Sequence, residues 1–303
     1  MHTKSLTTLE YPKILKRLAA HTTFSVAAEL AEQLRPTPHY TEALERQAET
    51  AEARRLLAEQ PDTGVGGARD VRPLLEQARR AIPIPPQGFL TLAHTLIAAR
   101  NLRRKLTRLE DRYPRLADIA WRLEENSGLI HHIHQTVDDA GRILDTASSE
   151  LARIRREAEI AHSRLQEKMR RLLASEKVSP YLQENLITQR DGRYVLPLKA
   201  EFKGRIRGII HDQSASGATL FIEPASVVEL NNRWRQLQLE EEQEIHRILQ
   251  ALTAQVAERS KFIAATVQAL AELDLLFAKA RYAEAMDAVS PRLVDPAAPP
   301  APA

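Results

Sequence analysis

Cysteine is absent from the sequence, which excludes disulfides and thiolate metal sites and gives no sign of an oxidising compartment. Aromatic residues make up only 5% and glycine only 10 of the 303 residues. Ala, Leu, Glu, Arg and Gln dominate instead, the better helix formers, so the composition points to long helices and away from sheets. No run approaches the roughly 20 apolar residues of a membrane span. The stretch Met1-His2-Thr3-Lys4-Ser5 is followed by no apolar core of a signal peptide. The expectation is a cytoplasmic chain of one or two units with no membrane partner. An excess of either charge is also missing. A net charge of +3 says nothing about nucleic acid by itself, and only the distribution of charge can.

What is present is mostly helical periodicity. Residues 6–35 read as a helix pair, with Leu6, Leu9, Ile14, Leu15 and Leu18 at helical spacing, then Val26, Leu30 and Leu34, stopped by Pro36-Thr37-Pro38. Thr41 reads as the N-cap of a helix running to about Glu59, with Glu42 and Glu45 in its first turn. A loop follows over 60–67, then a short helix from Val71 to Ala81. Phe89 to Leu109 is a strong helix, with Leu92, Leu96, Ala99, Leu102 and Leu106 on one side and Arg100, Arg103, Arg104, Lys105 and Arg108 outside. Leu116 to Leu123 forms another helix before a break at Ser127-Gly128. From Leu144 the apolar positions Leu144, Ala147, Leu151, Ile154, Ala158, Ala161 and Leu165 alternate by three and four, a coiled-coil seam reaching to about Lys177. A second stripe starts after Pro224, with Leu230, Trp234, Leu237, Ile245, Ile248, Leu252, Val256 and Ile263, and extends to about Met286. Two long helices flanking one insertion suggest an antiparallel arm.

The insertion differs in composition. Asp191-Gly192 between Ile187-Thr188 and Tyr194-Val195-Leu196 is a hairpin signal. Arg205 to Ile210 and Thr219 to Ile222 read as further strands around a Ser214–Gly217 turn. The expected fold is therefore mainly α: a helical core over 1–142, lever helices over 143–265 with a small antiparallel β insertion at about 186–226, a return helix over 266–290, and a Pro- and Ala-rich tail over 291–303 expected to be disordered.

From Lys177 to His211 there are seven Lys and Arg residues against three Asp and Glu. The candidates for contacting nucleic acid are Arg190, Arg193, Lys199, Lys203, Arg205, Arg207 and His211. Lys203, Arg205 and Arg207 alternate, which on a strand puts them on one face, within reach of phosphates. The alternative is an edge strand charged against aggregation. His131-His132-Ile133-His134 has no carboxylate or cysteine at a convincing metal-ligand spacing, although Asp138 and Asp139 are near, so a polar helix surface is preferred. His211-Asp212-Gln213-Ser214 matches a catalytic triad only in residue types; Asp212, Ser214 and Ser216 read as turn-stabilising side chains, with Gly217 permitting positive φ. Glu240 to Glu244 reads as a solvated face, pairing with Arg153, Arg155, Arg156 or Lys168 on the other lever.

Two stretches carry a family resemblance: Tyr181 through Arg190-Asp-Gly-Arg-Tyr-Val-Leu-Pro-Leu-Lys-Ala200, and His211-Asp-Gln-Ser-Ala-Ser-Gly-Ala-Thr-Leu-Phe-Ile-Glu-Pro224 continuing through Val228-Glu-Leu-Asn-Asn232. They resemble the bacterial type-two MutS family, with weaker similarity over most of residues 6–289. The resemblance implies a helical core, two levers and a clamp-like tip, in a homodimer that grips nucleic acid, either branched DNA during suppression of recombination or the ribosomal RNA of collided ribosomes. Family members carry an ATPase domain and then an Smr nuclease domain after the levers. The 303 residues hold no Gly-x-x-x-x-Gly-Lys-Ser/Thr loop, so ATP, magnesium and cleavage are expected outside them, and this stretch is expected to be non-catalytic, without a cofactor, and weakly dimeric or monomeric by itself. The competing expectation is a structural coiled-coil module that binds another protein.

Overall fold

Leu- and Ala-rich segments fold into ten α-helices among the described residues, which are 3–295 of the computed structural model. In chain order these are α1 (Thr3–Thr8), α2 (Tyr11–Ala19), α3 (Ser25–Glu32), α4 (Tyr40–Glu59), α5 (Arg72–Arg79), α6 (Pro86–Thr107), α7 (Pro114–Trp121), α8 (Ser127–Thr136), α9 (Ser149–Leu173) and α10 (Val228–Ala285). Four strands lie between the last two: β1 (Thr188–Arg190), β2 (Arg193–Lys199), β3 (Gly208–Gln213) and β4 (Thr219–Pro224). Helix accounts for 63% of the structure, so the fold is mainly α with a small antiparallel sheet. The expected tail falls largely on residues 296–303, outside the described ones. The chain divides into two units, residues up to Arg142 together with those from Leu249 onward, and Ile143–Ile248.

In the first unit the apolar side of α6 is buried as its spacing requires, with Leu92, Leu96, Ala99, Leu102 and Leu106 at most 4% exposed. The part of α10 in this unit is buried almost all round between Ala269 and Ala280, the pattern of a helix inside a core. It also carries polar groups that satisfy loop backbone. Thr253 Oγ1 accepts from the Ile84 N–H at 3.0 Å, Thr266 Oγ1 from the Glu124 N–H at 3.1 Å, and the Asp274 carboxylate from the Thr23 and Phe24 N–H groups at 2.7 and 2.9 Å. Glu52 on α4 accepts from the Arg115 and Leu116 N–H groups at 2.9 and 3.3 Å. The carboxylates of Asp274 and Glu52 thus neutralise the otherwise orphaned donors at the starts of α3 and α7.

Three expectations need correction here. Residues 6–35 form three short helices, with Leu9 and Ile14 60% and 45% exposed. Thr41 lies inside α4, whose N-cap position is His39; Glu42 bonds instead to the Thr37 hydroxyl. Ser127-Gly128 opens α8, and the chain reverses just before it at Asn126, which has φ 45°. Asparagine tolerates this left-handed conformation better than most residues.

In the second unit α9 starts later than the apolar spacing suggested. Leu144 and Ala147 precede the helix, and the Ser148 hydroxyl caps it by accepting from the Leu151 N–H at 2.9 Å. Of the later apolar positions, Ile154 and Ala161 are buried against Leu237, flanked by Ala158 and Trp234. Arg155 pairs with Glu241 at 2.8 Å and Ser148 bonds Glu244 at 2.6 Å, while His162 stacks on Trp234 at 5.0 Å. Ascending positions on α9 meet descending positions on α10, so the two run antiparallel. Of the acidic run, Glu241 takes the expected cross-helix arginine. Arg153 pairs within its own helix, with Glu150 and Glu157.

Changing Ile154, 2% exposed, to Asp should destabilise this unit by several kcal/mol, on the order of 3–5, because a charge enters a seam with no partner for it; a urea midpoint equal to that of the unchanged protein would refute the packing. The Arg247 guanidinium, opposed by burial and helped by the Ser148 hydroxyl, holds the Glu244 carboxyl below the usual carboxylate range. The stability it contributes is complete above the unfolded-state value of about 4.3 and is lost as pH falls through the folded value. Glu244→Gln should therefore flatten the acid limb of stability against pH while leaving the curve above neutrality parallel to the original.

Candidate nucleic-acid interface

The β unit is assembled around one acid. In Leu220-Phe-Ile-Glu-Pro224 the apolar neighbours carry Glu223 into the interior, where it is 0% exposed. A carboxylate there must be neutralised and hydrogen-bonded. Its Oε1 accepts from Arg193 Nη1 at 2.9 Å and from Asn231 Nδ2 at 2.8 Å, and its Oε2 lies 2.6 Å from His211 Nε2. Each partner comes from a different element. Arg193 opens β2 and also donates to Asn232 Oδ1 at 2.6 Å. Asn231 lies in the first turn of α10 and pairs with both backbone groups of Tyr194, at 3.0 and 3.1 Å. His211 sits at a register shift between Ile210 and Asp212, where a bulge frees a side chain from the ladder's alternation.

The sheet order is β1-β2-β4-β3, all neighbours antiparallel. One face, with Leu196, Leu198, Leu220 and Ile222, packs against Leu165 and Met169 of α9. Gly208 is opposite Pro224, and a Cβ there would sit 2.1 Å from the Glu223 carbonyl oxygen, so β3 can approach β4 only with glycine at this point. Because β4 lies between β2 and β3, the connection over 200–207 must run from the Lys199 end of the sheet to the Gly208 end.

That connection holds the three alternating cations, and the strand expected for them is not there. β2 ends at Lys199, a short 3-10 turn covers Ala200–Phe202, and β3 begins only at Gly208. Their outward direction has another cause. Ile206, 9% exposed, anchors the link in the same apolar cluster as Leu196 and Leu220, so its neighbours Arg205 and Arg207 turn to solvent. Lys203 is also exposed. Among the described residues none of these three forms an ion pair.

The seven candidates therefore divide. Arg193 and His211 are committed to Glu223. Arg190 donates to Asp212 Oδ2 at 2.8 Å, and its guanidinium lies 3.7 Å from the Phe221 ring centroid. Lys199 is half-buried with its ammonium 5.9 Å from the Phe202 ring. Lys203, Arg205 and Arg207 have no ion-pair partner among the described residues. Sequence reasoning missed Glu223, Asn231 and the cluster in which His162 Nε2 meets Tyr194 Oη at 2.6 Å beside Trp234. A single acid inside an apolar strand was the available signal, since such a group demands a buried cation or donors.

The other motifs take structural parts. The Ser214 hydroxyl accepts from the Thr219 N–H at 3.0 Å and Gly217 has φ +75°, the geometry of a tight turn. His132 Nδ1 lies 2.8 Å from Gln255 Oε1. Among the described residues no three His, Asp or Glu side chains are grouped to hold a metal ion, and no helix is long and apolar enough to cross a membrane. On α6, Arg103 bonds the Leu123 carbonyl and lies over Trp121, and Arg104 pairs with Glu125 at 3.6 Å.

The class defined by these features is a mainly helical protein with an antiparallel helix pair carrying a small β unit that exposes basic residues. No family model matches the chain. Curated relatives do, along its whole length. It is 43% identical over 100% of its residues to the Endonuclease MutS2 of Thermomicrobium roseum, 40% over 97% to that of Pelotomaculum thermopropionicum, and 38% over 97% to that of Geobacillus sp. WCH70. The chain belongs to this MutS2 family. It spans 37–38% of the length of these relatives.

The division of the cations has a direct consequence. Arg193→Ala strips the guanidinium from a fully buried carboxylate and should cost about 3 kcal/mol, whereas Arg190→Ala, at an exposed pair, should cost about 1 kcal/mol or less. Urea denaturation of the two variants checks this, and equal losses would contradict the Glu223-centred assembly.

Proposed function

We propose that this chain is a nucleic-acid-binding, dimer-forming region of a MutS2 protein, and that the link over 200–207 is its phosphate contact. The observation that carries the reading is the set of three exposed cations, Lys203, Arg205 and Arg207, with no carboxylate partner among the described residues, beside Arg190, Arg193 and His211, which all have one. Phosphates are the natural complement of unpaired surface cations fixed on a short, anchored segment. The target is branched DNA, with ribosomal RNA as the second candidate; both come from the family resemblance, as does the homodimer. The name of the relatives describes an endonuclease. On this reading these residues position nucleic acid and do not cut it, and ATP and magnesium belong to the ATPase domain expected in longer relatives.

A protein-docking role has one observation in its favour: edge strand β3 exposes Ile209 and Ile210 by 49% and 40%. Salt separates the two readings, because phosphate binding releases counterions and an apolar contact does not. Replacing Lys203, Arg205 and Arg207 together by Gln should weaken binding to every duplex tested. It should also flatten the slope of log affinity against log salt by up to about 2.7, at about 0.9 for each phosphate no longer neutralised, without altering sequence preference. An unchanged affinity and slope would remove the link from the interface.

A further inference from the structure

The loop over 60–67 and the outer face of α6 enclose a cleft of about 320 Å³ in the first unit, a volume on the scale of small-molecule sites. We propose that it binds a nucleoside phosphate. Lys105 supplies the charge. Its ammonium donates to the Thr63 hydroxyl at 2.6 Å, a neutral partner that is itself only 2% exposed. Among the described residues it forms no ion pair, so two of its three N–H donors are left for an anion. His94 and Asn101 share a stripe of α6 with Lys105, and all three side chains line the cleft.

The facing wall is the loop. Gly66 has φ +60°, and a Cβ on it would lie 3.6 Å from the Ala98 Cβ, so the loop passes closely over the helix. Among the described residues the N–H groups of Gly64 and Gly66 find no backbone acceptor. Both glycines line the cleft, and peptide donors without a backbone acceptor, in the loop whose Thr63 holds the Lys105 ammonium, suit phosphate oxygens. The rest of the cleft suits a nucleoside. Leu102 and Ala98 give an apolar floor, and the Asp62 carboxylate lines the same space. Asp62 repels a bare phosphate but accepts from sugar hydroxyls or an exocyclic amine, and the Asn101 amide offers both a donor and an acceptor to a base edge.

The experiment is calorimetric titration of the 303-residue chain with AMP, GMP, CMP, UMP and inorganic phosphate. At least one nucleotide should bind saturably with a Kd of about 1 mM or tighter, and more tightly than inorganic phosphate. Lys105→Gln should weaken it about tenfold or more. Asn101→Asp, at an exposed position, should weaken it comparably by placing a second carboxylate in the cleft, four residues before Lys105 where it can pair with the ammonium, and it decides the matter if Lys105→Gln folds poorly. The link variant with Gln at 203, 205 and 207 should bind nucleotide like the unaltered chain, which keeps this result separate from that of the duplex-binding test. No binding by any of the five ligands, inorganic phosphate binding as tightly as the nucleotides, or full affinity in a folded Asn101→Asp chain would overturn the proposal.

Discussion

A carboxylate without solvent contact organises the β unit. Glu223 has lost its hydration completely, and the loss is offset only because a guanidinium, an imidazole and an amide converge on its two oxygens. The requirement ties together pieces far apart in sequence: the start of β2, the bulge in β3 and the first turn of α10. Apolar packing on the other sheet face supplies bulk attraction, but it does not select a register, since leucines and isoleucines interchange at small cost. A one-residue slip of β2 would move Arg193 to the opposite face and take the guanidinium from the acid. The charge network thus fixes the pairing, and the pairing fixes where the link between β2 and β3 must run.

Helix α10 imposes a comparable constraint on the first unit. Three of its polar residues there are buried and each accepts from the backbone of a different loop: Thr253 for residue 84, Thr266 for residue 124, Asp274 for residues 23 and 24. Loops of this kind carry backbone donors that burial would leave unpaired. Placing the acceptors on one rigid helix resolves that cost and defines where each loop docks. The same helix starts beside Glu223, so a single uninterrupted element contributes to the polar core of one unit and the loop contacts of the other.

Periodicity made the large elements legible in the sequence. The stripe of α6, the seam from Leu151 to Leu165 and the long run after Pro224 were readable because one face of each is buried. Misreadings fell where short-range polar chemistry outweighs pattern. Ser148 ends the upstream continuation of α9, although Leu144 and Ala147 keep the spacing. Ser127-Gly128 has the composition of a turn, yet it begins α8, whose stability comes from burying Leu129, Ile130 and Ile133. Leu9 and Ile14 sit at helical spacing but remain exposed, because spacing shows which residues share a face and not whether that face is covered.

The candidate interface was half legible for a related reason. Counting charges marked out a basic segment but could not distinguish a cation that holds the fold from one without a partner. The distinction depends on partners remote in sequence: Asp212 for Arg190, Glu223 for Arg193 and His211. It also depends on Ile206, whose anchoring turns Arg205 and Arg207 outward without any strand to enforce alternation. The free and committed cations are therefore products of the same arrangement. Burying Glu223 consumes the nearest positive groups, fixes the strand order through the register it demands, and obliges the chain to return along the sheet over 200–207. Among the described residues the cations on that return form no ion pair with the buried acid, whose partners are Arg193 and His211. Their availability follows from the route the sheet imposes, and a change in strand pairing would alter it even with every lysine and arginine retained.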